Sequence, residues 1–324
     1  MIGDVPTRSA AAAAIDRAPQ HEPASSVLIL GYGAFGHAMH AALAHRRDIA
    51  VSVYSRSAKT ADHHLVAMVH SVAELEPARY DIVIVALPGK AITEVLAVLP
   101  GPAATTAFLS CVKGMDPATG RFPSDVIYAG TGSDYIAVMS GASFADEMLL
   151  GRPVFLTLAC TNELLGRDLV ARLHSPLLQL ELTDDVRGLE IAGVGKNIIA
   201  FGAGVADGLE LGDNFRAAFI ARGIGELRRV AERLGARGDT IVASGALADF
   251  ILSCSSPRSR NYDQGWRFAR GTHSPDVLAE GWQSVEAFVS MIRSQHIDSH
   301  YFDAIAAAAA EPARVKASLQ PGSE

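Results

Sequence analysis

Residues 27–36 read VLILGYGAFG, a short apolar run followed by three glycines in the spacing G-x-G-x-x-G. The run predicts a buried strand, and the small residues after the glycines predict a helix. In a strand–turn–helix context, Gly31 permits a tight turn, Gly33 lets the backbone approach a pyrophosphate, and Gly36 lets the helix pack closely on the strand. The stretch therefore predicts a dinucleotide-binding site; a glycine-rich turn without a ligand is the alternative.

The end of the next predicted strand, residues 49–54, bears on which dinucleotide binds. An Asp or Glu at this position would accept a hydrogen bond from the ribose 2′-hydroxyl of NAD. The chain instead continues with Ser55 and Arg56. The Arg56 guanidinium can pair with a 2′-phosphate, and the Ser55 hydroxyl can donate a hydrogen bond to it. This strand end favours NADP over NAD, with a solvated arginine as the plain alternative for Arg56.

Outward from these motifs, apolar β-branched runs alternate with helical patterns up to about residue 184. Further strands are predicted at 64–69, 82–87, 107–111, 135–139 and 154–159, and later helices at 189–209, 213–234, 239–253, 274–296 and 299–310. The order predicts an α/β chain. Residues 26–184 are expected to form a Rossmann-like, doubly wound, mostly parallel domain, and residues 185–324 an all-helical domain. Residues 1–25, rich in Ala, Pro, Ser and charge, are expected to be a disordered tail.

Composition excludes several classes of protein. Of the 324 residues, 49% are hydrophobic and 19% charged, so the chain can bury a large core. The net charge of −7 argues against a general nucleic-acid binder, although it allows a local cationic pocket. Apolar runs such as 82–87 are too short to span a bilayer, so membrane insertion is not expected. Three cysteines fit neither a disulfide framework nor a zinc site, which indicates a cytoplasmic setting and no metal.

Lys196 lies in a predicted helix that carries no other charge nearby. The same segment contains five glycines, Gly193, Gly195, Gly202, Gly204 and Gly208. Each costs about 1 kcal/mol relative to alanine within a helix, so their number requires a reason. Either another backbone or a ligand comes close to the helix. A lysine in apolar surroundings suits proton transfer, and a structural lysine with a buried stem is the alternative.

Several motifs occur together over most of the chain. They are KG at 113–114, SGASFADE at 140–147, GVGKN at 193–197, GLELGDNFR at 208–216, DFILSCSSPRSRN at 249–261 and EG at 280–281. With the glycine fingerprint, these motifs resemble the soluble NAD(P)-dependent glycerol-3-phosphate dehydrogenases, and most closely their bacterial branch, over residues 26–310. Several motifs in the family's order are far more specific than any single one.

The resemblance implies a reaction, a fold and an assembly. The chain is expected to interconvert dihydroxyacetone phosphate and sn-glycerol 3-phosphate with NADP, or with NAD as the less favoured cofactor. The product would supply phospholipid synthesis. The helical domain is expected to be like the C-terminal domain of 6-phosphogluconate dehydrogenase, and the enzyme to be a homodimer without a nucleic-acid partner.

The resemblance also implies roles for individual residues. Lys196 would be the acid/base at the substrate's C2 oxygen, Lys113 would lie where substrate and nicotinamide meet, and Asp249 would orient the lysine or a substrate hydroxyl. The expected substrate-binding residues are Lys113, Gly141, Ser143, Asn197, Ser259, Arg260 and Asn261. The expected cofactor-binding residues are Gly31, Gly33, Ala34, Phe35, Gly36, Arg56, Lys113, Ala145, Arg260 and Glu280. Cations and hydrogen-bond donors of this kind suit a phosphorylated ketone.

The chain departs from the family pattern close to these residues. Gly195 replaces the usual Leu, Ala142 the usual Pro and Ser253 the usual Thr, while Ala248 stands where glycine-rich spacing is usual. Two other functions therefore stay open. One is a reductase of the same fold that acts on another phosphorylated or small hydroxy or keto compound. The other is a catalytically inactive nucleotide-binding sensor, in which Lys196 would be dispensable.

Overall fold

The computed structural model describes residues 25–56, 65–101, 104–116, 119–273, 280–308 and 311–319. The strands in this part are β1 (Ser25–Leu30), β2 (Ile49–Tyr54), β3 (Leu65–Val69), β4 (Ile82–Val85), β5 (Ala107–Ser110), β6 (Ile136–Ala142), β7 (Val154–Ala159) and β8 (Leu178–Thr183). The helices are α1 (Ala34–Ala44), α2 (Gly89–Ala97), α3 (Pro123–Thr131), α4 (Ala145–Leu149), α5 (Glu163–Leu173), α6 (Val186–Gly208), α7 (Asp213–Arg233), α8 (Gly238–Ile241), α9 (Ser244–Cys254), α10 (Arg260–Ala269), α11 (Glu280–Ser294) and α12 (His300–Ala308).

The strands form one sheet in the order β3-β2-β1-β4-β5-β6-β7-β8. Neighbouring strands are parallel except β6 and β7, which are antiparallel. All four residues of β4 and of β5 are buried, as expected for apolar strands covered on both faces. The chain runs outward from β1 to β2 and β3 and then crosses to β4 on the other side of β1, so a crevice forms at the carboxyl ends of β1 and β4. The doubly wound α/β prediction is confirmed.

The helical half is built around α6, which is buried along nearly its whole length. Its hydropathy and 23-residue length would suit a membrane span, yet the entire apolar window lies inside the fold. A helix that is apolar on all sides belongs in a protein core. Helices α7, α9, α10 and α11 pack against it. The prediction that helices follow the sheet is thus confirmed.

Most of the α6 glycines serve helix packing. A Cβ at Gly204 would overlap the Tyr262 carbonyl oxygen of α10, and one at Gly202 would overlap the Phe219 ring of α7. A Cβ at Gly195 would collide with the Leu227 side chain of α7, and Gly208 faces α10 in the same manner. The expected approach of another backbone occurs at Gly204 and Gly208, whereas side chains of α7 lie beside Gly195 and Gly202, and no ligand is needed to explain these four glycines.

Some elements differ from the sequence prediction. Strand β8 and helices α3, α4, α5 and α10 were not predicted, and the helix expected at 239–253 is the two helices α8 and α9. Ser25, placed in the tail, instead begins β1, because it pairs with Ile49 of β2. The rest of the predicted tail, residues 1–24, and the helix start at 274–279 lie outside the described residues. The domain boundary at residue 184 stays a prediction, lying between the end of β8 and the start of α6.

Candidate active site

A cleft of about 630 Å³ lies between the carboxyl edge of the sheet and the helical half. The sheet side is formed by the segments that follow β1, β2, β4, β5 and β6, and the other side by α6, α9 and the start of α10. Parallel strands commonly bind ligands at this edge, where the strand order reverses. Five of the described lining residues are Lys or Arg, and Asp249 is the acidic one. The cleft therefore suits an anionic ligand.

The glycine fingerprint forms one end of the cleft. Gly31 has a φ of +103°, and a Cβ there would be 2.7 Å from the Ala86 carbonyl oxygen. Only glycine fits both constraints without strain. A Cβ at Gly33 would meet no atom within 4 Å, so open space lies over that backbone. Helix α1 then begins at Ala34, and its N-terminal N–H groups favour an anion. This end fits a dinucleotide pyrophosphate.

Ser55 and Arg56 follow β2 and line the same end of the cleft. Ser55 is buried, whereas Arg56 is exposed to solvent. Ser55 is fixed in place, since its N–H donates to the Val69 carbonyl and its carbonyl oxygen is 2.6 Å from Nδ1 of His70. Arg56 thus presents a cation beside the position at which a ribose 2′-substituent would lie.

The other end of the cleft contains a buried carboxylate between two lysines. Lys113 Nζ donates to Asp249 Oδ2 at 2.6 Å, and Lys196 Nζ lies 3.7 Å from Asp249 Oδ1. Lys113 also donates to the Gly141 carbonyl oxygen at 3.1 Å. The Ser253 hydroxyl donates to Asp249 from one turn further along α9. Residues far apart in the chain therefore converge on one ionic cluster.

Asp249 is ionised in this cluster. Burial alone would raise the pKa of its carboxyl group. The ammonium groups of Lys113 and Lys196, with hydrogen bonds from Lys113 and Ser253, outweigh burial and hold the pKa below its ordinary value. The carboxylate can then fix both ammonium groups while keeping them from repelling each other. Lys196 is itself almost fully buried, and it projects into the cleft from the middle of α6.

Polar groups from α6 and α10 complete this end. Asn261 Nδ2 donates to Asn197 Oδ1 at 2.9 Å, and both side chains are buried. Asn197 Nδ2 is buried without a hydrogen-bond partner among the described residues, so it can donate to a bound acceptor. Ser259 precedes the first turn of α10, and Arg260 begins that helix. These donors sit beside the ionic cluster and suit a phosphate and a carbonyl oxygen.

The structure brings most of the predicted site residues together. Those that line the cleft are Gly31, Gly33, Ala34, Phe35, Arg56, Lys113, Ser143, Ala145, Lys196, Asn197, Asp249, Ser259, Arg260 and Asn261. Gly36 lies behind this wall, where a Cβ would overlap the Gly31 carbonyl oxygen. Glu280 begins α11, and its side chain lies outside the described residues.

Gly141 is not among the described residues that line the cleft. A Cβ there would be 2.6 Å from the Phe155 carbonyl oxygen, so the residue is glycine to let β7 approach. Its contribution to the site is the carbonyl oxygen, which accepts hydrogen bonds from Lys113 and from the Ser143 hydroxyl. Gly141 therefore holds side chains that line the cleft instead of lining it itself.

Phe144, Ser253 and Arg258 are among the residues of the cleft wall that the prediction missed. Ser253 lies one helical turn beyond Asp249, and that spacing was the available signal. Arg258 directly precedes Ser259, but its partners are 111 and 112 residues away. No local pattern could have indicated them.

The departures from the family pattern lie mostly off the cleft. Gly195 faces Leu227, and neither Ala142 nor Ala248 is among the described lining residues. Ser253 does line the cleft, and it retains the hydroxyl that bonds to Asp249.

The three cysteines are free and buried, and burial raises the pKa of the Cys111 and Cys254 thiols to about 12. These two remain protonated at neutral pH, which makes them poor nucleophiles. Among the described residues, no group of three or more His, Cys, Asp or Glu side chains could hold a metal ion.

Two family models match the chain. The NAD-dependent glycerol-3-phosphate dehydrogenase N-terminus matches residues 61–165, and the C-terminus of the same family matches residues 185–320. A glycerol-3-phosphate dehydrogenase [NAD(P)+] of Bradyrhizobium sp. is 33% identical over 311 residues, which is 91% of this chain and 95% of the relative. A relative of the same name from Cereibacter sphaeroides is 34% identical over 271 residues, covering 83% of this chain and 88% of its own.

A solved structure agrees with these matches. Glycerol-3-phosphate dehydrogenase from Coxiella burnetii has a TM-score of 0.81 and 26% identity, and the alignment covers 92% of this chain and 99% of that one. The family models, the relatives and the shared fold all indicate the same family. The chain belongs to the NAD-dependent glycerol-3-phosphate dehydrogenase family.

Proposed function

We propose that the chain interconverts dihydroxyacetone phosphate and sn-glycerol 3-phosphate, using NADP or NAD. The observation that carries the proposal is the position of Lys196, held by Asp249 in a cationic cleft between the glycine fingerprint and the Ser259–Asn261 segment. The names of the relatives, glycerol-3-phosphate dehydrogenase [NAD(P)+], support both the reaction and the cofactor class.

Reduction of the ketone places negative charge on the C2 oxygen. The Lys196 ammonium stabilises that charge and donates the proton that the oxygen needs, and in the reverse direction the neutral amine accepts it. Asp249 holds the Lys196 ammonium in place and anchors Lys113 at the opposite wall. When bound, the nicotinamide supplies or accepts the hydride, and the chain supplies position and electrostatics.

We assign the phosphate of the substrate to the start of α10. Arg260 contributes a cation, Ser259 and Asn261 contribute hydrogen-bond donors, and the helix N-terminus adds its partial positive charge. Ser143 and the Nδ2 atom of Asn197, which has no hydrogen-bond partner within the described part of the chain, are placed to contact the rest of the substrate. We propose each of these roles from the position of the residue in the cleft and from the chemistry of its side chain.

For the cofactor, we assign the pyrophosphate to Gly31–Gly33 and the start of α1, with Ala34, Phe35 and Ala145 along its length. Arg56 supports a preference for NADP, because its guanidinium can pair with a 2′-phosphate. We also propose that Arg260 and Glu280 contact the cofactor.

A cytoplasmic homodimer is our proposal for location and assembly. Three free, buried cysteines support a reducing compartment. The dimer rests on the family likeness alone.

The test pairs a substrate panel with one variant. Wild-type protein is expected to oxidise NADPH with dihydroxyacetone phosphate in preference to unphosphorylated ketones. Lys196→Ala is expected to lower turnover by about 10²- to 10⁴-fold, because the proton donor is lost. NADPH binding, measured by fluorescence titration, should persist. Lys316→Ala removes an exposed lysine and serves as the control.

Unchanged turnover in Lys196→Ala would refute the assigned role. Activity on another keto compound alone would favour the specialised reductase. NADPH binding without activity on any ketone would favour the inactive sensor.

A further inference from the structure

The mouth of the cleft has one wall from each half of the chain. On the sheet side, Phe144 follows Ser143, and Asp146 and Glu147 lie in the short helix α4. On the helical side, residues 255–259 connect α9 to α10. Arg258 lies in this connection and reaches across to the sheet side. We call Phe144, Asp146, Glu147 and Arg258 the Arg258 clasp.

The Arg258 guanidinium makes three contacts with the opposite wall. Nη1 donates to Glu147 Oε1 at 2.7 Å, and Nη2 donates to Asp146 Oδ2 at 2.6 Å. Its Cζ atom lies 4.4 Å from the centre of the Phe144 ring, a cation–π distance. Arg152 lies 3.7 Å from the same Glu147 carboxylate. The planar fork of arginine permits all three contacts at once, whereas a lysine ammonium could not reproduce them.

The clasp contributes little to the stability of the fold. Arg258 is 46% exposed and Asp146 69%, and exposed ion pairs contribute about 0–1 kcal/mol. Its place in the chain gives it another effect. Arg258 directly precedes Ser259 and Arg260, while Phe144 lies between Ser143 and Ala145. All of these residues line the cleft. A change in the clasp would therefore alter the spacing of two walls that bind one substrate.

Resting on the proposed function, we infer that Arg258 is a positioning residue for the reaction. It fixes the distance between the wall with Ser143 and Ala145 and the wall with Ser259, Arg260 and Asn261. Its charge is directed towards two carboxylates, so it acts on the substrate through its neighbours and not as a phosphate ligand. Small displacements of such walls have large kinetic effects, because tight binding requires both to contact the substrate together.

The experiment separates positioning from direct phosphate binding. Arg258→Ala and the double variant Asp146→Asn/Glu147→Gln are compared with wild type in steady-state kinetics. The clasp predicts that both raise KM for dihydroxyacetone phosphate by about tenfold with little change in kcat. Arg258→Lys should recover part of the loss. Combining all three substitutions should cost no more than Arg258→Ala alone, since the same contacts are lost.

Direct phosphate binding by Arg258 predicts the opposite for the double variant. Without its carboxylate partners, the guanidinium would be released to the phosphate, and KM would fall. A KM that falls or stays unchanged in Asp146→Asn/Glu147→Gln overturns the positioning role. The matched control is Arg167→Ala, which breaks the exposed Arg167–Glu163 pair of α5 away from the cleft. It should leave KM unchanged.

Hydrogen exchange provides a readout that does not depend on the substrate. The amides of residues 143–148 and 255–261 should exchange faster in both clasp variants, while the global free energy of unfolding stays within about 0.5 kcal/mol of wild type. Unchanged exchange would overturn the clasp. If wild type fails to reduce dihydroxyacetone phosphate but the exchange result holds, the proposed function fails and the clasp stands.

Discussion

Asp249 is the residue on which the reacting end of the cleft depends. It lies between Lys113 and Lys196, and its carboxylate contacts both. Two ammonium groups brought into one buried site would repel each other without it, and each would resist desolvation. The carboxylate therefore makes a doubly cationic site possible beside an anionic substrate. Its own position is set by Ser253, one turn along α9.

Arg56 is the residue proposed to contact the 2′-phosphate of NADPH. Arg56→Ala is expected to weaken NADPH binding about tenfold or more and to leave NADH binding nearly unchanged. The reason is that a charge-assisted contact to the 2′-phosphate, worth about 1.5–3 kcal/mol, is lost only with NADPH. Fluorescence titration of both nucleotides measures the effect.

The exposed Arg121, which is not among the described lining residues, provides the control substitution Arg121→Ala. Equal losses for the two nucleotides in Arg56→Ala would mean that the side chain does not contact the 2′-phosphate.

The single residues differ in how far sequence could reveal them. Lys196 was recognisable because a charge stood alone in an apolar helix, and the fingerprint glycines because their spacing is local. Gly141 was assigned to the cleft, since a glycine that packs against β7 looks the same in sequence as one that approaches a ligand. Arg258 was missed because its partners lie on a segment more than a hundred residues away.

At the scale of elements, the contact between α6 and α10 positions the substrate end of the cleft. Gly204 of α6 faces the Tyr262 carbonyl oxygen, and Gly265 of α10 faces the Phe201 carbonyl oxygen in return. The two backbones thus touch without side chains between them. Since α10 carries Arg260 and Asn261 at its start, the crossing fixes their positions in the cleft that Lys196 also lines.

Alanine substitutions at one packed and one exposed glycine test the backbone contact between α6 and α10. Gly204→Ala is expected to lower the free energy of unfolding by about 1–3 kcal/mol, because the new methyl group forces α6 and α10 apart. Gly225→Ala lies on the exposed face of α7, where a Cβ meets nothing within 4 Å. It should raise the free energy by up to about 1 kcal/mol, the helix propensity gain.

Denaturant unfolding measures both glycine variants. If Gly204→Ala proves as stable as Gly225→Ala, the two helices are not in backbone contact.

Element prediction succeeded where apolar residues were continuous and failed where they were not. Strands β2 and β7 were predicted with the bounds that the structure has, because apolar residues dominate them. Strand β8 reads LQLELT, and its alternating polar residues at the edge of the sheet hid it. Helix α10 is strongly amphipathic but rich in charge, so no continuous apolar run marks it in the sequence. The apolar side of α10 packs against α6, and the sequence of α10 alone does not show this partner.

At the scale of the whole molecule, Glu190 joins the two halves of the chain. It lies in α6, and its buried carboxylate accepts hydrogen bonds from the Ser124 N–H at 2.8 Å and the Ser124 hydroxyl at 2.9 Å. Ser124 belongs to α3 of the sheet half. Arg187 lies 3.4 Å from Glu190 and also pairs with Asp125 of α3. The contact between α3 and α6 therefore depends on the buried Glu190 carboxyl group.

Burial raises the pKa of Glu190 to about 7, although Arg187 and the two Ser124 hydrogen bonds oppose the shift and Asp125 adds to it. In the unfolded chain a glutamate titrates near 4.3. Between these values the folded state holds a proton that the unfolded state has lost, so this residue makes the free energy of unfolding fall as pH rises. Above about pH 8 both states are ionised, and the penalty no longer changes.

Glu190→Gln keeps the shape of the protonated acid and cannot ionise. The free energy of unfolding of the variant should exceed that of wild type by about 1 kcal/mol at pH 5 and by about 3–4 kcal/mol at pH 8, because a shift of one pKa unit corresponds to about 1.4 kcal/mol. Urea unfolding at pH 5, 6, 7 and 8 measures the difference. Glu163→Gln, at an exposed position on α5, should give a flat difference over the same range. A flat difference for Glu190→Gln as well would show that the interface does not rest on a protonated carboxyl group.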